Sequence, residues 1–229
     1  PKYTFVTSHN EQASAMAAEG YARISGKVGV LHVTTGPGGT NAITGVCGAW
    51  IDSIPMLVIS GQVMVKDMIG EANLRQIGVQ EVDIIAMVKP TTKYAVTVTE
   101  HKMIRYHLEK ALHYATTGRP GPVWLDIPLD IQNADIDEGA LPGYEPEIEL
   151  KARPSEYLGL QVQKCLEMLS EAERPIIIVG YGVRLANAAD EIVDLIEKMQ
   201  IPVIPSWNAK DMFPADHPLL VGCAGFFGD

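Results

Sequence analysis

The chain has 229 residues, 47% apolar and 20% charged, the balance of an α/β protein with room for one large domain or two smaller ones. Its formal net charge of −10 argues against nucleic acid or an anionic membrane surface as a partner, although a local field can still receive a phosphorylated ligand. The three cysteines, Cys47, Cys165 and Cys223, are odd in number and outside any C-x-x-C pair, which fits a reduced, cytoplasmic setting; no signal-peptide pattern or apolar run of membrane-spanning length is read.

In chain order, short β-branched runs alternate with longer helical patterns. Strands are expected at Tyr3–Thr7, Val28–Thr34, Met56–Ser60, Tyr94–Val98, Val123–Ile127, Ile176–Val179 and Val203–Ile204. Helices are expected at Glu11–Ser25, Thr40–Asp52, Glu100–Thr117, Ser155–Glu171 and Asn187–Met199. Such alternation implies βαβ units, and the near-continuous apolar strands "VGVLHV", "MLVIS" and "IIIV" imply a parallel sheet covered on both faces. Thr40 and Ser155 stand as N-cap candidates, and Gly26 and Gly118 as C-terminal glycines. The fold class is α/β: a doubly wound parallel sheet over residues 1–131, an acidic linker with Pro142 and Pro146 over 132–153, and part of a second, Rossmann-like α/β domain over 154–229. The opening directly on a strand-like run and the closing on "GCAGFFGD" suggest a piece of a longer polypeptide.

Glu11 is the first candidate for chemistry. A first-turn glutamate is ordinarily a helix-end charge favoured by the dipole. Here Ala13, Ala15, Ala17, Ala18, Gly20 and Ala22 predict close packing on nearly every side, partial desolvation and a raised carboxyl pKa. "TTGPGGTN" (Thr34 to Asn41) lies between a strand and a helix, where glycines let the backbone approach a ligand; a plain tight turn explains it equally well. It is neither a Walker loop nor G-x-G-x-x-G. Gly180 and Gly182 form half of a dinucleotide fingerprint, with a ligand-free turn the favoured explanation. His101, His107 and His113 step by six residues and do not share a helix face, and no metal-ligand spacing or G-x-S-x-G nucleophile signature is present.

In combination, Glu11-Gln12, "AEGYAR", "GPGGTN", "DSIP" and "SGQ", followed by "VQEVDI" and "TGRPGPVWLDIPLDIQ", resemble the pyrimidine-binding domain of thiamine diphosphate enzymes, nearest the acetolactate synthase-like branch. "PIIIVGYG", "IPVIPSWNAKDMFPADHPLLVG" and "CAGFFGD" resemble the start of that family's central domain. The resemblance implies a decarboxylase or carboligase acting on 2-oxo acids. Glu11 would hydrogen-bond N1′ of the aminopyrimidine and activate the cofactor, Gly36, Pro37 and Asn41 would line the cofactor turn, and Gln80 would face the substrate. Mg²⁺ and the diphosphate would be held by a third domain absent from this chain, so that the fragment alone is inactive. FAD would meet Gly180, Gly182 and the Gly225–Gly228 turn, as in the flavin-containing members. The resemblance also implies a cytoplasmic homodimer or homotetramer with neither nucleic acid nor membrane as partner. Asn10 stands where acetolactate synthases usually have His, and Val79 where they have an aromatic residue. Two other readings are a non-catalytic assembly domain of the same fold and a nucleotide-binding oxidoreductase.

Overall fold

The computed structural model describes residues 5–146 and 156–223. The chain divides into two compact units, Pro1–Glu147 and Ile148–Asp229.

The first unit is built on four parallel strands. In chain order its elements are α1 (Glu11–Ser25), β1 (Gly29–Val33), α2 (Pro37–Ile51), β2 (Met56–Gln62), α3 (Ile84–Val88), β3 (Tyr94–Thr97), α4 (Ile104–Thr116), β4 (Pro122–Pro128) and the single turn α5 (Leu129–Gln132). The strands lie in the order β1-β2-β4-β3, all parallel, with Val33 opposite Ser60 and Ser60 opposite Asp126. The connections β1→β2 and β2→β3 advance across the sheet, whereas β3→β4 steps back. Right-handed crossovers therefore put α2 and α3 on one face and α4 on the other. The side chains follow. Leu57, Val123 and Leu125 pack with Ala111 and Ala115 of α4, while the intervening Trp124 lies with Ile84 beside Gly39 of α2.

α1 starts where its sequence predicts. Asn10 is the N-cap, its side chain accepting from the Ala13 amide at 3.3 Å, and Gly26 ends the helix in the left-handed conformation. Ala15, Ala18 and Ala22 are buried, and with Glu11 they form one stripe at steps of four, three and four. The other flank is open: Ala13, Ala17 and Gly20 are exposed and Ile24 is 89% accessible, so the expected packing on nearly every side is confined to this stripe.

Three expectations are corrected. Residues 5–7 form no strand, with Phe5 and Val6 exposed, while Tyr3 and Thr4 lie outside the described residues. α2 begins three residues before Thr40, because Pro37 supplies a preset first helical φ behind an N-cap Gly36. The Thr40 amide then bonds Gly36 O at 2.9 Å and its hydroxyl turns back to Pro37 O at 3.2 Å. The short helix α3 was not anticipated. The Ser155 cap and the Gly225–Gly228 turn lie outside the described residues.

α5 leads into the expected linker, whose described part, to residue 146, is tied to α4. The Tyr144 amide donates to Glu109 Oε2 at 2.7 Å, and the Tyr144 ring meets Tyr106 and His113. Lys110 sits over the rings of Tyr94, Tyr106 and Tyr144 at 5.2–5.6 Å.

The second unit holds α6 (Glu156–Glu171), β5 (Ile177–Val179), α7 (Gly182–Leu185), α8 (Ala189–Met199) and β6 (Val203–Pro205), with β5 and β6 paired in parallel. Val179, Ile196, Val203, Ala209 and Phe213 form its core. Among the described residues no helix is long and apolar enough to cross a membrane.

Candidate active site

In a parallel sheet covered by helices, the helix that precedes or follows a strand runs antiparallel to it. α1 leads through Gly26 into the start of β1, and α2 leaves the end of β1, so both helices have their N-termini at the carboxyl edge of the sheet. That edge is where ligands of open α/β sheets bind. α1 and α2 pack along a seam of small residues in matched register. A Cβ built on Gly45 would lie 2.5 Å from Ala15 Cβ, and one on Gly48 would meet Glu19 at 3.3 Å. At the far end Arg23 bonds both Glu19 and Asp52. At the near end Asn41 Nδ2 donates to Glu11 Oε2 at 2.7 Å.

Glu11 therefore heads the α1 stripe and points along the seam toward the glycine turn. Its other oxygen, Oε1, lies 3.7 Å from where a Cβ on Gly38 would stand, a position already crowded by Thr34 Cγ2 at 2.8 Å. The bare Gly38 backbone is thus the wall beside the carboxylate. The bond from Asn41, together with Glu11's own amide at the helix start, holds this carboxyl below its ordinary value. This corrects the expected upward shift: the alanines bury the stripe behind Glu11, and the carboxylate itself stays half open and well supplied with donors.

Gly36 has φ +61°, and a Cβ there would fall 2.0 Å from the carbonyl oxygen of Gln80. Only glycine permits this backbone-to-backbone approach. Gln80 is itself left-handed at φ +61° and its side chain is exposed. The structure thus brings Asn41 to Glu11 and Gln80 to Gly36, at the two ends of the turn and first helical residues that run from Gly36 through Pro37 to Asn41. Gly180 and Gly182 lie in the second unit at the end of β5, with no atom of the other described residues, their chain neighbours and own helix turn aside, within 4 Å of either missing Cβ.

Two acidic residues near this edge escaped sequence reasoning. Asp126, 1% exposed, accepts from Ser60 Oγ at 2.5 Å, Gln62 Nε2 at 3.1 Å and Thr97 Oγ1 at 3.3 Å, and Trp124 Nε1 donates to the same Ser60 hydroxyl at 2.8 Å. Burial pushes its carboxyl up despite those three donors. Glu81, 6% exposed, accepts the amides of Ile77 at 2.9 Å, Gly78 at 3.0 Å and Ile69. A lone acid inside the apolar strand "PVWLDIP" was the available signal for Asp126; Glu81 had none beyond its place in "VQEVDI".

His107 and His113 serve packing. His107 Nδ1 pairs with the Tyr94 hydroxyl at 2.6 Å, and His113 lies against Tyr114 and Tyr144. Among the described residues no group of three His, Cys, Asp or Glu could hold a metal ion.

Comparison with known proteins identifies two domains. The family described as "Thiamine pyrophosphate enzyme, N-terminal TPP binding domain" matches residues 1–87, and "Thiamine pyrophosphate enzyme, central domain" matches residues 162–229, together more than half of the chain. A probable acetolactate synthase large subunit of Methanocaldococcus jannaschii is 38% identical, covering 97% of this chain and 37% of its own length. The acetolactate synthase large subunit of Corynebacterium glutamicum is 39% identical, over 99% of this chain and 35% of that protein. Glyoxylate carboligase of Escherichia coli O157:H7 is 42% identical, over 95% and 35%. The chain spans roughly a third of the length of these relatives.

Proposed function

The chain belongs to the thiamine pyrophosphate enzyme family, and from that premise we propose that the whole protein is a thiamine diphosphate-dependent carboligase or decarboxylase acting on 2-oxo acids, with Glu11 as the residue that activates the cofactor. The observation that carries this reading is the Asn41–Glu11 bond beside the bare backbone of Gly38. The residues fit a planar aminopyrimidine: a fixed carboxylate for a ring nitrogen, a glycine wall that a side chain would fill, and a seam of small residues behind.

When bound, thiamine diphosphate supplies a carbon nucleophile and an electron sink for the 2-oxo acid. Glu11 contributes a carboxylate that is ionised at neutral pH and would accept a hydrogen bond from the cofactor's N1′, holding a proton on that nitrogen. Asn41 fixes the carboxylate rotamer and keeps it charged. Gly36 lets the loop carrying Gln80 close on the α2 terminus, the Gln80 carbonyl lying against the Gly36 backbone; in this reading Gln80 would face the substrate.

Magnesium and the diphosphate are assigned in this reading to a further domain of the whole protein, and the complete site to a cytoplasmic homodimer or homotetramer in which a partner copy supplies that domain. FAD would lie against Gly180 and Gly182, where a side chain would meet none of the other described residues; absorbance of the purified protein in the flavin bands tests that arm separately. Titration calorimetry of the full-length protein with thiamine diphosphate and Mg²⁺ tests the main reading. A saturable heat is expected. Its absence would favour the non-catalytic assembly domain.

A further inference from the structure

The loop between β2 and α3, residues 63–83, is organised around one buried side chain. The Glu81 carboxylate takes the amides of Ile69, Ile77 and Gly78, while the Glu81 amide donates to Gly78 O at 3.3 Å. The residue thus closes the turn 78–81 from both sides, by backbone and by carboxylate. Within that turn Gln80 sits at the third position in a left-handed conformation that non-glycine residues adopt at a cost. The outer end of the loop is fastened separately: Gln62 Nε2 bonds Val82 O and Asp126, both at 3.1 Å. The loop's contact with the cluster is the Gln80 carbonyl seated on Gly36.

We propose that Glu81 is a positioning residue of the active site: by gathering three amides it holds Gln80 in its left-handed turn against Gly36 and so fixes the substrate-side wall next to Glu11. The proposal rests on the reading of the cluster given above. Burial alone would push the Glu81 carboxyl up, but the three amides outweigh it and hold the group below its ordinary value, so it is ionised wherever the site would work. An anion among three N–H groups is the strong form of this clamp. A glutamine could accept from only part of the set and would turn an N–H₂ toward the remaining amide.

The test uses the full-length protein with Glu81→Gln, Glu81→Asp as the charge-keeping variant, and Ile196→Val in the second unit as a destabilised control. Amide hydrogen exchange over residues 69–80 is expected to speed by about tenfold in Glu81→Gln, the loss of one charge-assisted bond. KM for pyruvate is expected to rise by a similar factor, with kcat and thiamine diphosphate affinity nearly unchanged. Glu81→Asp recovers part of both effects, and carries the test if Glu81→Gln does not fold. Ile196→Val at a matched loss of Tm leaves KM in place. Faster loop exchange with an unmoved KM, or an equal KM change in the control, overturns the proposal alone. Wild-type protein that binds no thiamine diphosphate overturns the reading of the cluster and the proposal with it.

Discussion

Glu11 and Asn41 close the seam between the first two helices at the edge where the sheet ends. Asn41 Nδ2 donates to Glu11 Oε2 at 2.7 Å across a chain separation of 30 residues. Because this bond comes first among the causes that lower the Glu11 carboxyl, Asn41→Ala should let its pKa climb toward the ordinary glutamate value. In the full-length protein the acid limb of kcat/KM against pH should move to higher pH, and turnover at neutral pH should fall roughly 10- to 100-fold, the loss of a hydrogen bond to a charged group. An unmoved acid limb would mean that Asn41 does not set the charge of Glu11.

The seam behind this pair is filled to contact. A methyl group on Gly45 would stand 2.5 Å from Ala15 Cβ and 3.2 Å from its carbonyl carbon. Gly45→Ala should cost about 1–3 kcal/mol through overpacking, despite the better helix propensity of alanine. Denaturant unfolding checks the magnitude, and Ala15→Gly in the same chain should restore part of the loss.

Gly36 is constrained twice, by its positive φ and by the Gln80 carbonyl 2.0 Å from its missing Cβ. Gly36→Ala should therefore displace the loop that carries Gln80, whereas Gly26→Ala, at a left-handed position in open space, pays only the backbone cost of about 1 kcal/mol. Proteolysis within residues 69–80 should accelerate in the first variant and not in the second.

The helix that carries Glu11 was readable because its small-residue run and its Gly26 end agree with one another; its Asn10 cap and its single buried stripe were not anticipated. The start of α2 was misplaced at Thr40, since a threonine ahead of an apolar run reads as a cap, while Pro37 behind a left-handed glycine starts the helix earlier. α3 was missed because "IIAMV" is five residues long and an apolar run that short has no decisive period. The candidate residues came from the resemblance that the motifs carry, whereas their electrostatics could not be read from it. The Glu11 carboxyl shifts downward because of a donor 30 residues away, and Glu81 and Asp126 become buried acids only through folded-state partners.

Glu81 also gives the protein a pH signature. Its folded pKa lies below the unfolded value near 4.5, so the unfolded chain binds the proton more readily. The stabilisation is complete above that unfolded value and is lost as pH falls through the folded one. The Tm gap between wild type and Glu81→Gln should be constant near neutral pH and should close below pH 4.5. A gap that persists into strong acid would show that shape, not charge, accounts for the clamp.

The most direct measurement compares wild type with Glu11→Gln in the full-length protein, following by proton NMR how fast the C2 proton of bound thiamine diphosphate exchanges with D₂O. An amide cannot hold a proton on N1′ as the carboxylate does. The exchange rate should therefore fall by orders of magnitude, while the thermal transition moves little and the cofactor still binds. Exchange in Glu11→Gln as fast as in wild type would contradict the role given to Glu11.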